Sequence, residues 1–590
     1  MFRKLQKFII ERINLMPESR LMILLALLVG LFSGLAAVLL KQMIHLFQWI
    51  LTGWFNTPVD SFLYFVYPGL GMLLAMLFVL YIVKDNIGHG VTKVLLAVSK
   101  NKSNIKSHNT WTSIAASSVT IGFGGSVGAE APIVYTGAAI GSTIARFIGL
   151  SYKNMTILLG CGAAGAVAGI FKAPMAGVLF TLEILLFNLS MTSILPLVVS
   201  SITACVVSYF LLGDAVAFEN TIIPFAKSNI PYYIIFGVIC GFASLYFTRT
   251  TLKLEDKIKA IEGPFRRWGI SALCLGFLIF IFPPLYGEGY GVLTNLLNGD
   301  SHNALGTTFL IKVITKEWMI PLFFLSVFIF KVFSMSFTNA GGGVGGTFGP
   351  TLFMGGVLGF VVARCVNMLG VVDYLPENNF VLVGMAGLMA GVMQAPLTAI
   401  FLIAEITGGY TLLMPLIITS AVSFATIRFY EPYSIYTKRI AKQGALLTHD
   451  SDQAVLTLLK TDDLIEKDFK SVELNGTMAS LVKAIATSKR NIFPVIDEEN
   501  RLQGIVYLDD IREVMFNKDI YNTQYVYSYM KPLPSWVACN ESMESVMNKF
   551  EVSGAWSLPV LDEDGYYLGF VSKSKIFSAY REQLQQVSHD

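Results

Sequence analysis

Up to residue 440, apolar positions gather in long uncharged runs. Two of them, Leu21 to Leu40 and Phe62 to Val83, reach the ~20 residues that a helix needs to cross the hydrocarbon core of a bilayer. Many other runs are shorter or are broken by glycine. After residue 440 the pattern changes to short apolar segments separated by acidic turns. Two stretches there read as strand, turn, strand, helix, with the turns at Asp497 to Asn500 and Asp562 to Gly565. The pattern predicts a helical membrane module followed by a soluble α+β module.

Composition sharpens that division. Of 590 residues, 54% are hydrophobic and 14% charged, against the roughly one quarter charged of soluble domains, which argues against a purely soluble protein. The net charge of +3 conceals an asymmetry, because residues 441–590 hold 15 Lys/Arg and 22 Asp/Glu whereas the first 440 hold 28 and 18. Arg3, Lys4, Lys7 and Arg12 precede the first long run and favour a cytoplasmic amino terminus. No small-residue cleavage site follows that run, so no removable signal peptide is expected. The six cysteines are isolated, with no Cys-x-x-Cys pair and no neighbouring histidine pattern, so neither a disulfide framework nor a metal site is suggested.

The membrane module repeats itself. A shift of 222 residues places Gly162, Gly165, Ala168, Gly169, Ala173, Pro174 and Glu183 on Gly384, Gly387, Ala390, Gly391, Ala395, Pro396 and Glu405. A shift of 218 places Gly128, Pro132, Gly137 and Gly141 on Gly346, Pro350, Gly355 and Gly359. Gly/Pro interruptions at matching places in two halves are the mark of discontinuous helices whose half-helix ends meet at a central binding site. Free N–H groups at a helix start carry partial positive charge and can hold an anion without a fixed cation. The competing explanation is that the glycines only allow close helix packing, and Gly137, Gly141, Gly355 and Gly359 are expected to do just that. The two Gly-x-x-x-Pro loops are different, because their prolines suit the first turn of a helix.

Glu130 is the lone charge in the small-residue stretch around the first loop, Gly128-Ala129-Glu130-Ala131-Pro132, where a helix should begin. An ionisable group at membrane depth is a functional candidate by default. As an anion it can fill the helix-end site itself, and once protonated it can release that site to a permeating anion. The alternative is a helix-start glutamate stabilised by the dipole alone. Gly341 to Gly346 satisfies Gly-x-Gly-x-x-Gly but lacks a βαβ unit, so no dinucleotide is expected there.

These motifs resemble the CLC family of chloride channels and chloride/proton antiporters. Gly128 to Pro132 is similar to the family's Gly-Arg-Glu-Gly-Pro motif, and Gly346-Thr347-Phe348-Gly349-Pro350 matches its Gly-x-Phe-x-Pro motif. Gly88-His89-Gly90-Val91-Thr92 is more loosely similar to Gly-Ser-Gly-Ile-Pro, and Ser434-Ile435-Tyr436 resembles the segment that supplies the pore tyrosine. The resemblance implies a polytopic all-α membrane fold with an inverted repeat of broken helices, followed by a pair of CBS domains. Residues 1–440 would be the membrane domain, 441–460 a linker, 461–520 the first CBS domain and 521–590 the second. It also implies that Glu130 is the gate and carries protons on the outer side. The anion site would be lined by His89, Gly90, Gly128, Ala129, the amides around Thr347 and Phe348, and the Tyr436 hydroxyl, with Tyr433 as a rival for that last role. A homodimer with a pathway in each subunit is implied as well.

Several positions depart from the family pattern. His89 stands where a serine hydroxyl usually meets the anion; it either donates to the anion or turns away and leaves binding to the amides. Ala129 replaces the motif arginine, and Thr92 replaces a proline. The position resembling the inner proton glutamate of antiporters is Ile184, which cannot carry a proton. Glu183 beside it points about 100° away around a helix, and its repeat partner Glu405 suggests a structural role first.

In the tail, a shift of 65 places Pro494, Val495, Asp497, Glu498, Gly504, Val506 and Ile511 on Pro559, Val560, Asp562, Glu563, Gly569, Val571 and Ile576, which looks like a CBS pair. Such pairs often hold an adenine nucleotide with a Ser/Thr and an Asp three residues later. Tyr507 with Asp510, and Ser572 with Lys575, each keep one of the two groups, so Asp510 is either a ribose ligand or a solvated helix-start aspartate. The expected function is transport of chloride or a similar small anion in exchange for protons, with no enzymatic activity and no resident cofactor. The alternatives are a passive voltage- or proton-gated channel, a membrane-anchored CBS ligand sensor, and a CBS-bearing cation transporter. The sensor would not need paired broken helices, and a cation site would need more carboxylates. The expected partners are a second copy of the chain and membrane lipid, not nucleic acid. The expected location is a bacterial inner membrane with the tail in the cytoplasm.

Overall fold

The computed structural model describes residues 16–51, 63–185, 191–213, 218, 222–306, 314, 316–370, 374–441, 461–562 and 564–579. Arg3, Lys4, Lys7, Arg12, Phe62, Glu563 and residues 442–460 of the expected linker lie outside the described residues. The chain separates into two compact units, Met1–Leu446 and Leu447–Asp590.

In the first unit the helices run α1 Glu18–Trp49, α2 Leu63–Leu77 (continued by a π-helical segment Phe78–Val83), α3 Gly90–Lys100, α4 Thr112–Gly122, α5 Glu130–Ile148, α6 Tyr152–Phe171, α7 Pro174–Ile184, α8 Met191–Leu212 and α9 Ile230–Lys259. They continue with α10 Pro264–Ile281, α11 Tyr290–Leu297, α12 Ser301–Ala304, α13 Met319–Ala340, α14 Phe348–Leu369, α15 Glu377–Met393, α16 Pro396–Ile406, α17 Leu413–Tyr430 and α18 Ile435–Ala441. Ten helical segments among the described residues are long and apolar enough to cross a membrane. The α7 and α16 helices are not, since 11 residues extend only about 16 Å, roughly half of a bilayer core.

The two repeat shifts reappear as geometry. Helices α5 and α14 start at Glu130 and Phe348, which the 218-residue shift relates, and α7 and α16 match at both ends under the 222-residue shift. Lys172 (φ 57°) and Gln394 (φ 54°) end α6 and α15 in the same left-handed turn. Each turn is followed by a non-helical alanine, Ala173 or Ala395, and a proline that opens the next helix. Proline keeps its predecessor out of the helical region and supplies the right φ for a first turn, so Ala-Pro breaks and restarts the helix at one point.

Glycine packing joins the helices within each copy. A Cβ on Gly162 would lie 1.9 Å from the carbonyl oxygen of Gly137, and one on Gly384 would lie 2.2 Å from that of Gly355. Gly141 and Gly359 meet the backbones of Leu158 and Phe380 equally closely, at 2.0 Å. These four positions therefore do the packing work expected of them. Gly384→Ala should cost about 1–3 kcal/mol of stability, because the obstacle is backbone and cannot rotate away. Gly269→Ala, which meets nothing within 4 Å, is the control. Equal thermal midpoints of the two purified variants in detergent would remove the packing explanation.

The second unit is again a duplication. Strands β1 Val472–Glu473, β2 Ile492–Ile496 and β3 Leu502–Tyr507 form one sheet, and β4 Val537–Ala538, β5 Ser557–Leu561 and β6 Tyr567–Ser572 form another. Every strand boundary repeats at the 65-residue shift. In each sheet the first pair is parallel, the second antiparallel, and an irregularity falls at Val495/Ile496 or Val560/Leu561. Asp497 accepts hydrogen bonds from the Glu499 and Arg501 amides, and Asp562 does the same for Asp564 and Tyr566. Such side-chain-to-backbone bonds make an acidic residue a turn former. Helices Met478–Thr487 and Met543–Ser553 cover the two sheets with Met478, Leu481, Val546 and Phe550.

Candidate functional site

The two Gly-x-x-x-Pro loops pair with each other. Gly128 N–H donates to the Gly346 carbonyl at 3.1 Å, and Gly346 N–H donates to that of Gly128 at 2.7 Å. This antiparallel bridge sets the starts of α5 and α14 side by side. Reciprocal contacts of this kind mark a twofold relation between the copies.

Glu130, the first residue of α5, is buried, and its carboxylate sits at the start of the opposite repeat. It accepts the Gly349 N–H at 3.2 Å and the Tyr290 hydroxyl at 2.5 Å. A Cβ at Gly128 would lie 2.9 Å from the Gly349 backbone nitrogen and 2.1 Å from a Glu130 oxygen, so a side chain there would crowd the facing helix start and displace the carboxylate. The carboxylate thus takes the position that a helix start offers to an anion.

Beside it lie Thr347 and Phe348, both buried. The Phe348 ring packs on Phe171 and Phe180 with centroids 5.5 and 6.2 Å away. The Tyr436 hydroxyl, from α18, lies within reach of Thr347, and both hydroxyls are buried without a well-formed hydrogen bond. A buried hydroxyl without a partner costs about 1–3 kcal/mol, so two together suit a ligand that accepts hydrogen bonds. Tyr433 is 42% exposed, which separates it from its rival Tyr436 at 2%.

Gly90 brings α3 against α5, since a Cβ there would lie 2.2 Å from the Ala131 carbonyl oxygen. His89 adopts a left-handed conformation (φ 55°), and its ring is turned into an ion cluster. Its Nε2 lies 3.3 Å from Glu255 and 3.4 Å from the Lys259 ammonium, and Glu255 pairs with Arg439 at 2.7 Å. Of the two orientations open to His89, the structure has the one engaged with protein. The cluster lies at the edge of a cavity of about 610 Å³ lined by Lys84, Asp85, Lys259 and Arg267.

Glu183 is a helix cap. It accepts the Leu397 N–H at 3.0 Å and both the N–H and the hydroxyl of Thr398 at 2.7 Å, at the start of α16. Glu405 returns the contact on α7, accepting the Met175 and Ala176 amides at 3.0 and 2.9 Å. Ile184 beside it is buried. In the second unit, Asp510 forms an ion pair with Lys531 at 2.7 Å, and Ser572 donates to Glu466, so both nucleotide candidates are held by internal partners.

Four site residues were missed in the sequence. Glu130 shares a cavity of about 530 Å³ with Lys41, Glu288 and Tyr290. Glu288 accepts the Ala129 N–H at 3.0 Å, and Lys331 is fully buried with its ammonium 2.9 Å from the Gly287 carbonyl. Lys331 is an ionisable residue in the middle of an apolar helix, and Glu288 stands between glycines after an apolar run, so both differ from their surroundings in the sequence.

Comparison with known proteins gives the family and the fold. Residues 71–428 match the family model described as voltage gated chloride channel, and residues 462–517 and 526–582 each match the CBS domain. Chloride channel protein CLC-e of Arabidopsis thaliana is 25% identical over 565 residues, covering 84% of this chain and 76% of that protein. The H(+)/Cl(-) exchange transporter ClcA of Vibrio cholerae is 26% identical over 452 residues, covering 72% and 91%. A slow cyanobacterial Cl-/H+ antiporter superposes with a TM-score of 0.61 at 20% identity, over 73% of this chain and 98% of that one. A eukaryotic CLC transporter superposes with a TM-score of 0.60 at 17% identity, over 94% and 97%. At such identity these two likenesses establish the fold.

Proposed function

The chain belongs to the voltage gated chloride channel family, and on that premise we propose that it exchanges chloride for protons across the membrane in which its helices are embedded. One observation carries the reading: the Glu130 carboxylate rests on the Gly349 amide at the start of α14, beside the unsatisfied Thr347 and Tyr436 hydroxyls. Helix-start amides and hydroxyls hold an anion without a fixed cation, so the site can bind chloride strongly enough to select it and weakly enough to release it. Ionised, Glu130 competes for that seat. Protonated, it has no charge to place there, swings free and leaves the seat to chloride, which ties proton uptake to anion entry. Tyr290, whose hydroxyl meets the same carboxylate, fixes the occupied position.

A chloride passing this seat meets backbone dipoles contributed by both repeats, while Ala129 brings no charge of its own. On this reading two copies of the chain associate in the membrane, each with its own pathway. The CBS pair is a regulatory module, placed on the cytoplasmic side of a bacterial inner membrane. An adenine nucleotide using Asp510 would first have to displace Lys531.

The test is proton uptake by sealed liposomes holding the purified protein, driven only by a chloride gradient with the voltage clamped by an ionophore. Uphill proton movement is expected. Chloride flux without it would mark a passive channel, and attention would then turn to Ile184, the apolar residue at the position resembling the inner proton glutamate of antiporters.

A further inference from the structure

The paired Gly-x-x-x-Pro loops set the starts of α5 and α14 side by side, and a carboxylate occupies each. At α14 the occupant is Glu130, on the Gly349 amide. At α5 it is Glu288, whose Oε1 accepts the Ala129 N–H at 3.0 Å. Ala129 is the repeat counterpart of Thr347, so the amide that Glu288 covers is the α5 equivalent of one that lines the proposed anion seat. Both carboxylates border the same 530 Å³ cavity.

The loop carrying Glu288 is clamped. The Ser126 hydroxyl donates to the Leu285 carbonyl at 2.7 Å, Gly287 N–H donates to the Gly124 carbonyl at 3.0 Å, and the Lys331 ammonium donates to the Gly287 carbonyl at 2.9 Å. Gly287 (φ 63°) and Gly289 (φ 90°) supply the left-handed turns on either side of the carboxylate. Two residues on, Tyr290 reaches Glu130, so one loop touches both occupants. Lys41 on α1 lines the same cavity as the two carboxylates, and Lys331 on α13 holds the carbonyl of the residue just before Glu288.

We propose that Glu288 is a second tethered carboxylate, competing with the entering anion for the Ala129 amide, so that binding from the cavity side requires its displacement as well as that of Glu130. The inference rests on the transport reading above. It makes Glu288 a specificity-determining residue: an anion gains the α5 seat only by out-competing a covalently attached rival, and a weakly hydrogen-bonding anion does so less well than chloride.

The experiment compares Glu288→Ala with Glu288→Asp in protein reconstituted in one orientation, with chloride half-saturation measured from each face of the membrane. Alanine removes both the charge and the bond. Aspartate keeps the charge but is one methylene too short to hold the Ala129 amide in the clamped loop. Both variants should lower the half-saturation concentration on the cavity face about tenfold, the order expected when a charge-assisted hydrogen bond no longer has to be displaced. Half-saturation on the other face should stay as in the unmodified protein. An unchanged value in either variant overturns the proposal, because an effect of alanine alone would reflect only the field of the charge. Equal lowering on both faces overturns it too. If the unmodified protein moves no chloride, it is the transport reading that fails, whereas chloride transport with unaltered half-saturation in the variants removes only the role of Glu288.

Discussion

Glu130→Gln is expected to abolish chloride-driven proton uptake while chloride continues to move. Glutamine has the size of glutamate and can still accept from Tyr290 or Gly349, so the packing around the loop pair should survive. What it loses is the ability to take up and release a proton, and the negative charge with which it competes for the α14 start. Proton uptake should fall about a hundredfold or more, the scale on which a missing proton-transfer group is felt. Chloride flux should become independent of any proton gradient. Proton uptake at the unmodified rate in Glu130→Gln would sink the carrier role and leave Glu130 as a cap. The measurement uses the same clamped liposomes as the transport test, so the two results are directly comparable.

The second large effect is expected in stability. Glu183 and Glu405 each cap the half-helix that carries the other, and removing either carboxylate strips two N–H groups of their acceptors. Orphaned donors and the lost charge at a helix start together should cost about 2–4 kcal/mol in Glu183→Ala. The same loss should follow in Glu405→Ala, because the twofold relation gives the two residues the same task. The double variant should lose less than the sum, since both changes loosen one α7–α16 contact. Thermal midpoints of the purified variants measure all three. The proton-to-chloride ratio of Glu183→Gln gives a separate check: an altered ratio with an unchanged midpoint would make Glu183 a proton-route residue rather than a cap.

Had His89 faced the anion, its ring would have had to leave Glu255, which also pairs with Arg439 of α18. The cluster ties α3, α9 and α18 through one carboxylate that is 3% exposed. A buried carboxylate stripped of a partner is costly, so the competition for the imidazole favours Glu255. The imidazole of His89 therefore stays with the ion cluster, and only the backbone leading into Gly90 is left for the role proposed for this loop.

What the chain by itself determined was everything governed by short-range rules. Apolar runs of helix length, the Ala-Pro breaks, the starts of α5 and α14 and the acidic turns of the tail all follow from backbone preferences acting over a few residues. Their recurrence at constant shifts exposed both duplications. Glu130 stood out because charge is scarce in an apolar stretch. Tertiary structure alone decided which partner each charged side chain meets. Glu183 finds Thr398, 215 positions away, Tyr290 finds Glu130 at 160, and Glu288 finds Ala129 at 159. Those pairings depend on how two copies of a fold dock, and docking is set by the sum of many glycine and apolar contacts that no local pattern encodes. A carboxylate beside a helix start looks the same in sequence whether it is a gate, a cap or a competitor; only the amide that it reaches tells them apart.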